Sequence, residues 1–261
     1  MEQLFVIKIG GNIIDEDAKL ESFLREFASL KGKKILVHGG GKLATKLADQ
    51  LGYPQKLIGG RRITDSDTLR IVTMVYAGYV NKNIVAKLQA KGCNSIGISG
   101  ADGNALEAHK RIHSEIDYGF VGDIDQVNTS FLKGLLDQQI AIVLAPITHD
   151  GNGQLLNTNA DTVAQEIAKA LSKTYEVRLI YSFEKSGVLL NVNDEQSVIR
   201  QINPSSFGKL KQEQAIFAGM LPKLENAFTA LNNGVKKVII GRAEELQKLI
   251  DGTAGTTIVN E

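Results

Sequence analysis

Short runs of Val, Ile and Leu recur along this chain, separated by longer segments with amphipathic helical spacing, and this alternation restricts the possible folds more than any other feature. The runs are LFVIKI at 4–9, KILVH at 34–38, SIGIS at 95–99, IAIVLAPI at 140–147, VRLIYSF at 177–183, KKVII at 236–240 and TTIV at 256–259. Runs that are apolar throughout, instead of at every second residue, suit parallel strands covered on both faces. The order predicts an α/β fold, an αβα sandwich around a mainly parallel central sheet. Helices are expected over 18–30, 42–51, 66–91, 130–139, 160–171, 222–232 and 243–250. Between 102 and 128 the helical period fails, and Tyr118-Gly119-Phe120-Val121-Gly122 reads as hairpin or loop material projecting from the sheet. THDGNGQ at 148–154 is a second turn signal.

No repeat, low-complexity tract or flexible linker divides the 261 residues, so a single domain over 1–261 is expected. Its lobes would meet near 172–174, giving an N-lobe of about 1–173 and a C-lobe of about 174–261. Hydrophobic residues at 43% and charged residues at 23% are those of an ordinary folded protein, which excludes disorder. Thirty basic against 29 acidic residues leave a net charge of +1, too little to make nucleic acid or an anionic membrane the main partner. The single cysteine, Cys93, can form neither an internal disulfide nor a Cys-rich zinc site, which indicates a reducing compartment and hence the cytoplasm. The opening MEQLFVIKIGG has no basic cluster before a long apolar run, and no stretch approaches the roughly 20 apolar residues of a membrane span. Neither a signal peptide nor an anchor is expected.

The 26 glycines gather at the ends of the strand-like runs. Lys8 lies inside FVIKI just before Gly10-Gly11. A lysine drawn out of water there calls for an anion such as a phosphate; the alternative is a strand-end lysine whose ammonium reaches the surface. Val37-His38-Gly39-Gly40-Gly41-Lys42 ends a strand and opens a helix, so backbone N–H groups could approach an anion without hindrance from Cβ atoms. It has neither the P-loop spacing nor the dinucleotide fingerprint, and a tight turn needing positive φ is the alternative. Arg62, after Gly59-Gly60-Arg61, precedes a helix start where Thr64 and Asp67 have capping-box-like spacing. Its guanidinium fork suits a carboxylate, against the alternative of a solvated arginine pair. In Asn157-Thr158-Asn159-Ala160-Asp161, local grounds favour Asn159 as an N-cap and Asp161 as a first-turn acid. Gly219-Met220-Leu221-Pro222-Lys223 puts a lysine in a first helical turn, where the macrodipole disfavours a cation, so it reads as held for an anion. Gly97-Ile98-Ser99-Gly100 lacks the nucleophile-elbow spacing, and Ser99 reads as turn chemistry. His109 and His113, near Glu107 and Glu115, lack the helical context of a metal pair, and His38 and His149 show no evident partner; no metal ligands are assigned.

In their joint order, Lys-x-Gly-Gly at 8–11, His-Gly-Gly-Gly at 38–41, Arg62-Ile-Thr, Asn157-x-Asn-x-Asp161 and Gly-Met-Leu-Pro-Lys223 resemble the amino acid kinase family over nearly the whole chain. The resemblance implies an eight-stranded sandwich and ATP-dependent phosphorylation of an acyl amino acid, N-acetyl-L-glutamate, in arginine biosynthesis. It further implies that Lys8 and Lys223 contact the transferred phosphoryl group from opposite sides while Asp161 orients both. Gly11 and Gly41 would donate backbone hydrogen bonds, Gly40, Gly41, Arg62, Asn157 and Asn159 would hold the acyl amino acid, and the Gly10-Gly11 turn would face the nucleotide phosphates. Mg²⁺ would arrive on ATP. In the nucleotide half the family's usual Asp is replaced by Ser182-Phe183-Glu184-Lys185-Ser186-Gly187, leaving Gly187 and Lys209 as the candidates there. The acyl group could be acetyl or a larger one such as succinyl. Other open readings are another substrate of the same family, or a nucleotide-binding sensor without catalysis. The chain begins almost directly on its first strand, without the N-terminal helix of arginine-inhibited hexameric members, so the resemblance implies a homodimer without arginine feedback. Helix 66–91 is the candidate dimer element, although most of its apolar residues are expected to pack on the sheet.

Overall fold

The computed structural model describes every residue except Gly59, Gly60, 214–219 and Glu261, with the side chains of Arg61 and Pro222 also outside the description. The first half runs β1 (Gln3–Ile9), α1 (Gly11–Asp15), α2 (Asp17–Ser29), β2 (Lys33–His38), α3 (Gly41–Gln50), β3 (Leu57–Ile58), β4 (Arg61–Arg62), α4 (Ser66–Thr73), a π-helical segment (Met74–Val80), α5 (Asn81–Gln89), β5 (Ser95–Ile98), β6 (Leu106–Lys110), β7 (Gly122–Val127), α6 (Thr129–Asp137) and β8 (Ala141–Leu144). It continues through β9 (Ile147–His149), β10 (Leu155–Asn157), α7 (Ala160–Leu171), β11 (Glu176–Phe183), β12 (Gln201–Ile202), α8 (Pro204–Gln212), α9 (Leu221–Asn232), β13 (Lys237–Arg242), α10 (Leu246–Asp251) and β14 (Thr256–Ile258).

Among the described residues the main sheet has eight strands, in the order β12-β14-β13-β11-β1-β2-β8-β5. It is parallel from β13 to β5, while β14 runs antiparallel to β13. The αβα architecture expected from the apolar runs is therefore present. Alternation along β1 divides the core: Leu4 and Val6 join the cluster that includes residues of α7 and α9, while Phe5, Ile7 and Ile9 join the one built with α2, α4, α5 and α10. Lys8 has the parity of Leu4 and Val6, which directs it to the α7/α9 face.

Three expectations need correction. The run at 140–147 is not one strand: β8 stops at Leu144, Pro146 interrupts the ladder, and β9 begins at Ile147 in a separate four-stranded sheet, β10-β9-β6-β7. Nor does 118–122 project freely. Thr64 N–H donates to the Tyr118 carbonyl (2.9 Å), Phe120 N–H to that of Thr64 (2.6 Å) and Asn157 N–H to that of Phe120 (2.8 Å). Tyr118 and Val121 are buried, and Gly119 has φ +71° where a Cβ would stand 2.2 Å from the Thr64 carbonyl oxygen. THDGNGQ does form the turn between β9 and β10. The α4 cap is also displaced from its expected place: Asp65, not Thr64, accepts from Thr68 N–H at 2.8 Å.

Candidate active site

The strand order reverses beside β1, whose neighbours are β2 from the first half and β11 from the second. In an open α/β sheet such a reversal leaves a crevice outside the carboxyl ends of the strands. Register brings Lys8 level with Val37 and Tyr181, and Ile9 level with His38 and Ser182. The two glycine turns then meet: a Cβ on Gly39 would lie 3.8 Å from the Gly11 nitrogen, and one on Gly10 4.0 Å from the Ser182 carbonyl oxygen. Gly10 has extended backbone and Gly11 opens the short α1, so the absence of side chains there leaves the backbone approachable.

Lys8 reaches across the α7/α9 face to Asp161, with Nζ 2.9 Å from Oδ1 and side chains 16% and 29% exposed. Asp161 is in the first turn of α7, whose N-cap is Asn159; the Asn159 side chain accepts from the N–H groups of Asp161 (2.8 Å) and Thr162 (3.2 Å). Local reading of Asn159 as a cap is thus correct, and the same residue also lines the cleft described below. Lys223 is the third residue of α9, a helix with proline at its start. Burial holds the Lys223 ammonium below the ordinary lysine range; the Asp161 charge opposes that shift and the Lys8 charge adds to it. Its Nζ stands 4.7 Å from the centre of the Phe183 ring. Two cations and one carboxylate therefore converge beside the glycine turns. Of the motif that supplies Lys223, Gly219 lies outside the described residues.

Beside this group opens a cleft of about 710 Å³ whose lining includes Gly39 to Lys42, Arg62, Tyr76, Arg111 and Asn157 to Ala160. Arg62 is fixed from behind: its guanidinium donates to the Gly41 carbonyl (3.0 Å), to Thr45 Oγ1 (2.9 Å) and to the Gln55 side chain. The Asn157 amide donates to Thr64 Oγ1 at 3.1 Å. Gly40 has φ +152°, and a Cβ there would lie 2.8 Å from the Tyr76 ring, so this position needs glycine on both counts. Gly40, Gly41, Arg62, Asn157 and Asn159 thus share one cavity. Tyr76, Thr45 and Arg111, which also belong to it, carry no motif of their own; only the tertiary contacts reveal them. Arg111 forms an ion pair with Asp123, which raises its already high pKa, and lies 5.7 Å from the Tyr118 ring centre.

The candidates of the nucleotide half lie apart from that cavity. A Cβ on Gly187 would be 2.7 Å from Thr256 Oγ1 and 2.8 Å from Val198 Cγ1, giving its glycine a packing reason. Lys209 is exposed in the last turn of α8. Near Gly187, Glu195 pairs with Lys185 (3.0 Å) and Arg242 (2.9 Å), and the hydrogen bonds it accepts from Ser186 and Lys185 hold its carboxyl down at about 2. His38 and His149 prove to be partnered, His149 with Asn104 at 2.7 Å and His38 with Asn81 and Gly39. Exposed His109 pairs with Asp125 at 2.7 Å.

Residues 3–242 match the amino acid kinase family, and the chain belongs to that family. A protein of Cytophaga hutchinsonii named acetylglutamate kinase is 55% identical over 262 residues, covering 99% of each chain. One of Bacteroides fragilis with the same name is 54% identical over 245 residues, 94% of each. Among solved structures, the carbamate kinase of Giardia shares the fold (TM-score 0.73, 14% identity, 100% of this chain and 99% of that one). So does the N-acetylglutamate synthase of Neisseria gonorrhoeae (TM-score 0.84, 22% identity), although this chain, covered in full, spans only 60% of the synthase.

Proposed function

We propose that this chain phosphorylates the side-chain carboxylate of N-acetyl-L-glutamate with ATP, yielding N-acetyl-L-glutamyl 5-phosphate for arginine biosynthesis. The observation that carries the reading is the convergence of Lys8, Lys223 and Asp161 beside a cleft walled by the His-Gly-Gly-Gly turn and Arg62. The two relatives named for that activity, alike over nearly the whole chain, support it.

The acceptor is a carboxylate with an ordinary pKa of about 4.3, ionised at neutral pH, so the reaction needs no general base. A carboxylate oxygen attacks the γ-phosphorus, the bond from that phosphorus to the β-bridging oxygen breaks, and ADP departs with the electron pair. Such a transfer depends on alignment and on stabilising spread negative charge. Lys8 and Lys223 would supply the charge from opposite sides. Asp161 would hold Lys8 and support the protonated form of Lys223. Arg62 would take the other carboxylate of the acyl amino acid, with Gly40, Gly41, Asn157 and Asn159 completing its site. Gly10 and Gly11 would approach the phosphates, while Gly187 and Lys209 would serve the nucleoside.

Mg²⁺ would enter on the ATP phosphates, keeping waters because it dehydrates reluctantly. Among the described residues no group of three His, Cys, Asp or Glu side chains is placed to cage it, and Asp161 is engaged by Lys8. In this reading the N-lobe, about 1–173, binds the acyl substrate and forms a homodimer, and the C-lobe, about 174–261, binds the nucleotide. Exposed Met74 and Tyr79 on the π segment support a dimer contact there. No helix among the described residues is long and apolar enough to cross a membrane; a cytoplasmic enzyme is proposed.

Hydroxylamine trapping of acyl phosphate with Mg-ATP tests the reading, comparing N-acetyl-L-glutamate with N-succinyl-L-glutamate, free glutamate and aspartate. Turnover of the acetyl compound is expected. Arg111 in the cavity wall is the reason to include the succinyl compound, whose extra carboxylate it could meet; preference for that compound would change the substrate and keep the chemistry. Nucleotide binding without turnover of any acceptor would leave a sensor in place of an enzyme.

A further inference from the structure

Helix 66–89 is continuous, but its middle, Met74–Val80, is π-helical. π turns are rare and gather at functional sites. The burial pattern shows what this one does. Ile71 and Val72, then Val75 and Tyr76, are buried four residues apart; the next buried pair, Val80 and Asn81, comes after five, and Ile84 and Leu88 resume the step of four. In an α-helix residues five apart are turned well away from each other, whereas the i→i+5 ladder of a π turn brings them to one face. The extra residue therefore lets Tyr76 and Asn81 both face the sheet.

Each of them meets the same turn. The Tyr76 ring fills the space that a Cβ of Gly40 would need. Asn81, fully buried, lies with Nδ2 3.1 Å from His38 Nε2 and 3.0 Å from the Val143 carbonyl oxygen. His38, also fully buried, has Nδ1 2.8 Å from the Gly39 carbonyl oxygen. A carbonyl only accepts, so Nδ1 carries the proton and Nε2 accepts from Asn81. Burial pushes the ring's pKa down to about 4, keeping it neutral. In a trans peptide the C=O and the following N–H point opposite ways. Drawing the Gly39 carbonyl inward to His38 thus turns the Gly40 N–H outward, toward the cleft that Gly39, Gly40 and Gly41 line.

We infer that Asn81 and His38, brought into line by the π turn, are positioning residues that aim the Gly40 N–H at the reacting acyl phosphate region. They touch no substrate, and the inference rests on the kinase reading above. Their effect belongs in the alignment of the transition state, and misaiming one fixed backbone donor is expected to lower kcat by about 10- to 100-fold. The amide nitrogen of asparagine can take the place of Nδ1, whereas glutamine reaches the place of Nε2 and leaves the Gly39 carbonyl without its donor.

The test is steady-state kinetics of full-length His38→Asn, His38→Gln and Asn81→Ser, with Mg-ATP varied up to saturation at saturating N-acetyl-L-glutamate, well below each variant's Tm. His38→Gln is expected to lose at least tenfold in kcat with KM for ATP within twofold of the parent, and His38→Asn to recover most of that loss even where its Tm is the lower of the two. A loss that follows Tm, equal in both histidine variants, would assign them a merely structural role and overturn the inference. Should His38→Gln not fold, Asn81→Ser decides: a drop of fivefold or more in kcat at unchanged KM for ATP is expected, and parental kcat overturns the inference. An inactive parent would instead remove the kinase reading itself, so the two failures are distinguishable.

Discussion

At the scale of single residues, Lys8 and Lys223 share a charge but stand in different environments. Lys8 has a carboxylate at 2.9 Å, whereas Lys223 is held in its ring-lined place with its pKa lowered chiefly by burial. A lysine whose folded pKa lies below its unfolded value near 10.5 opposes folding while charged, and stability rises as pH climbs from the folded value toward the unfolded one. Lys223→Met is accordingly expected to raise Tm at pH 7 by about 2–4 °C. Lys8→Met, which strands Asp161, should cost about 1 kcal/mol. Calorimetry separates the two, and the opposite order would reverse this account. In turnover they should agree: Lys8→Ala and Lys223→Ala each lower kcat by about 100-fold or more while ATP binding, measured by titration, changes far less. Arg62→Ala is expected to raise KM for the acyl substrate by about 10- to 100-fold with a smaller change in kcat. An unchanged KM would place the substrate carboxylate elsewhere. Both lysines were legible in the sequence because a cation inside an apolar strand or at a helix start conflicts with its surroundings. Tyr76 and Thr45 were not, because a tyrosine or threonine in a helix conflicts with nothing.

At the scale of elements, boundaries followed how much of each helix is buried. The 160–171 helix was placed to the residue by its apolar stripe and its Asn159 cap. Helix α8 is not among the expected helices: it buries no residue and so has no stripe, although its Asn203–Ser206 capping box and Pro204 stand in the sequence. The π turn was invisible for a different reason, since its signature is a single step of five among steps of four. Charge also fixes elements to one another. Asp137 ends α6, where the macrodipole disfavours an acid, yet Lys133 and Lys33 of β2 hold its carboxyl down at about 2. A depressed carboxylate contributes stability that is fully present above its unfolded value near 3.8 and is lost as pH falls through about 2. Asp137→Asn should therefore flatten the acid limb of stability between about pH 4 and 2, read by urea titration at each pH. An unaltered limb would show that the contacts do not persist in solution.

At the scale of the whole molecule, the edge strand β5 and exposed Met74 and Tyr79 lie in the half assigned to dimerisation. Sedimentation velocity is expected to find a dimer, and Tyr79→Glu combined with Met74→Glu to shift it toward monomer; a monomeric parent would refute the proposed contact. Leu69, Val72, Val75, Tyr76, Val80 and Ile84 of the same helix are buried within the subunit, as most of its apolar residues were expected to be. The sequence by itself determined the layered parallel architecture, because a strand covered on both faces must be apolar throughout, and it determined the family, because five short motifs occur in one order. Only the tertiary structure decided that Pro146 diverts the chain into a second sheet, that residues 118–122 pack against Thr64 and Asn157, and that Asn81 and Tyr76 support the glycine turn. The physical reason is range. Periodicity and capping act within a few residues, whereas Asn81 and His38 are 43 positions apart and meet only once helix and strand have packed.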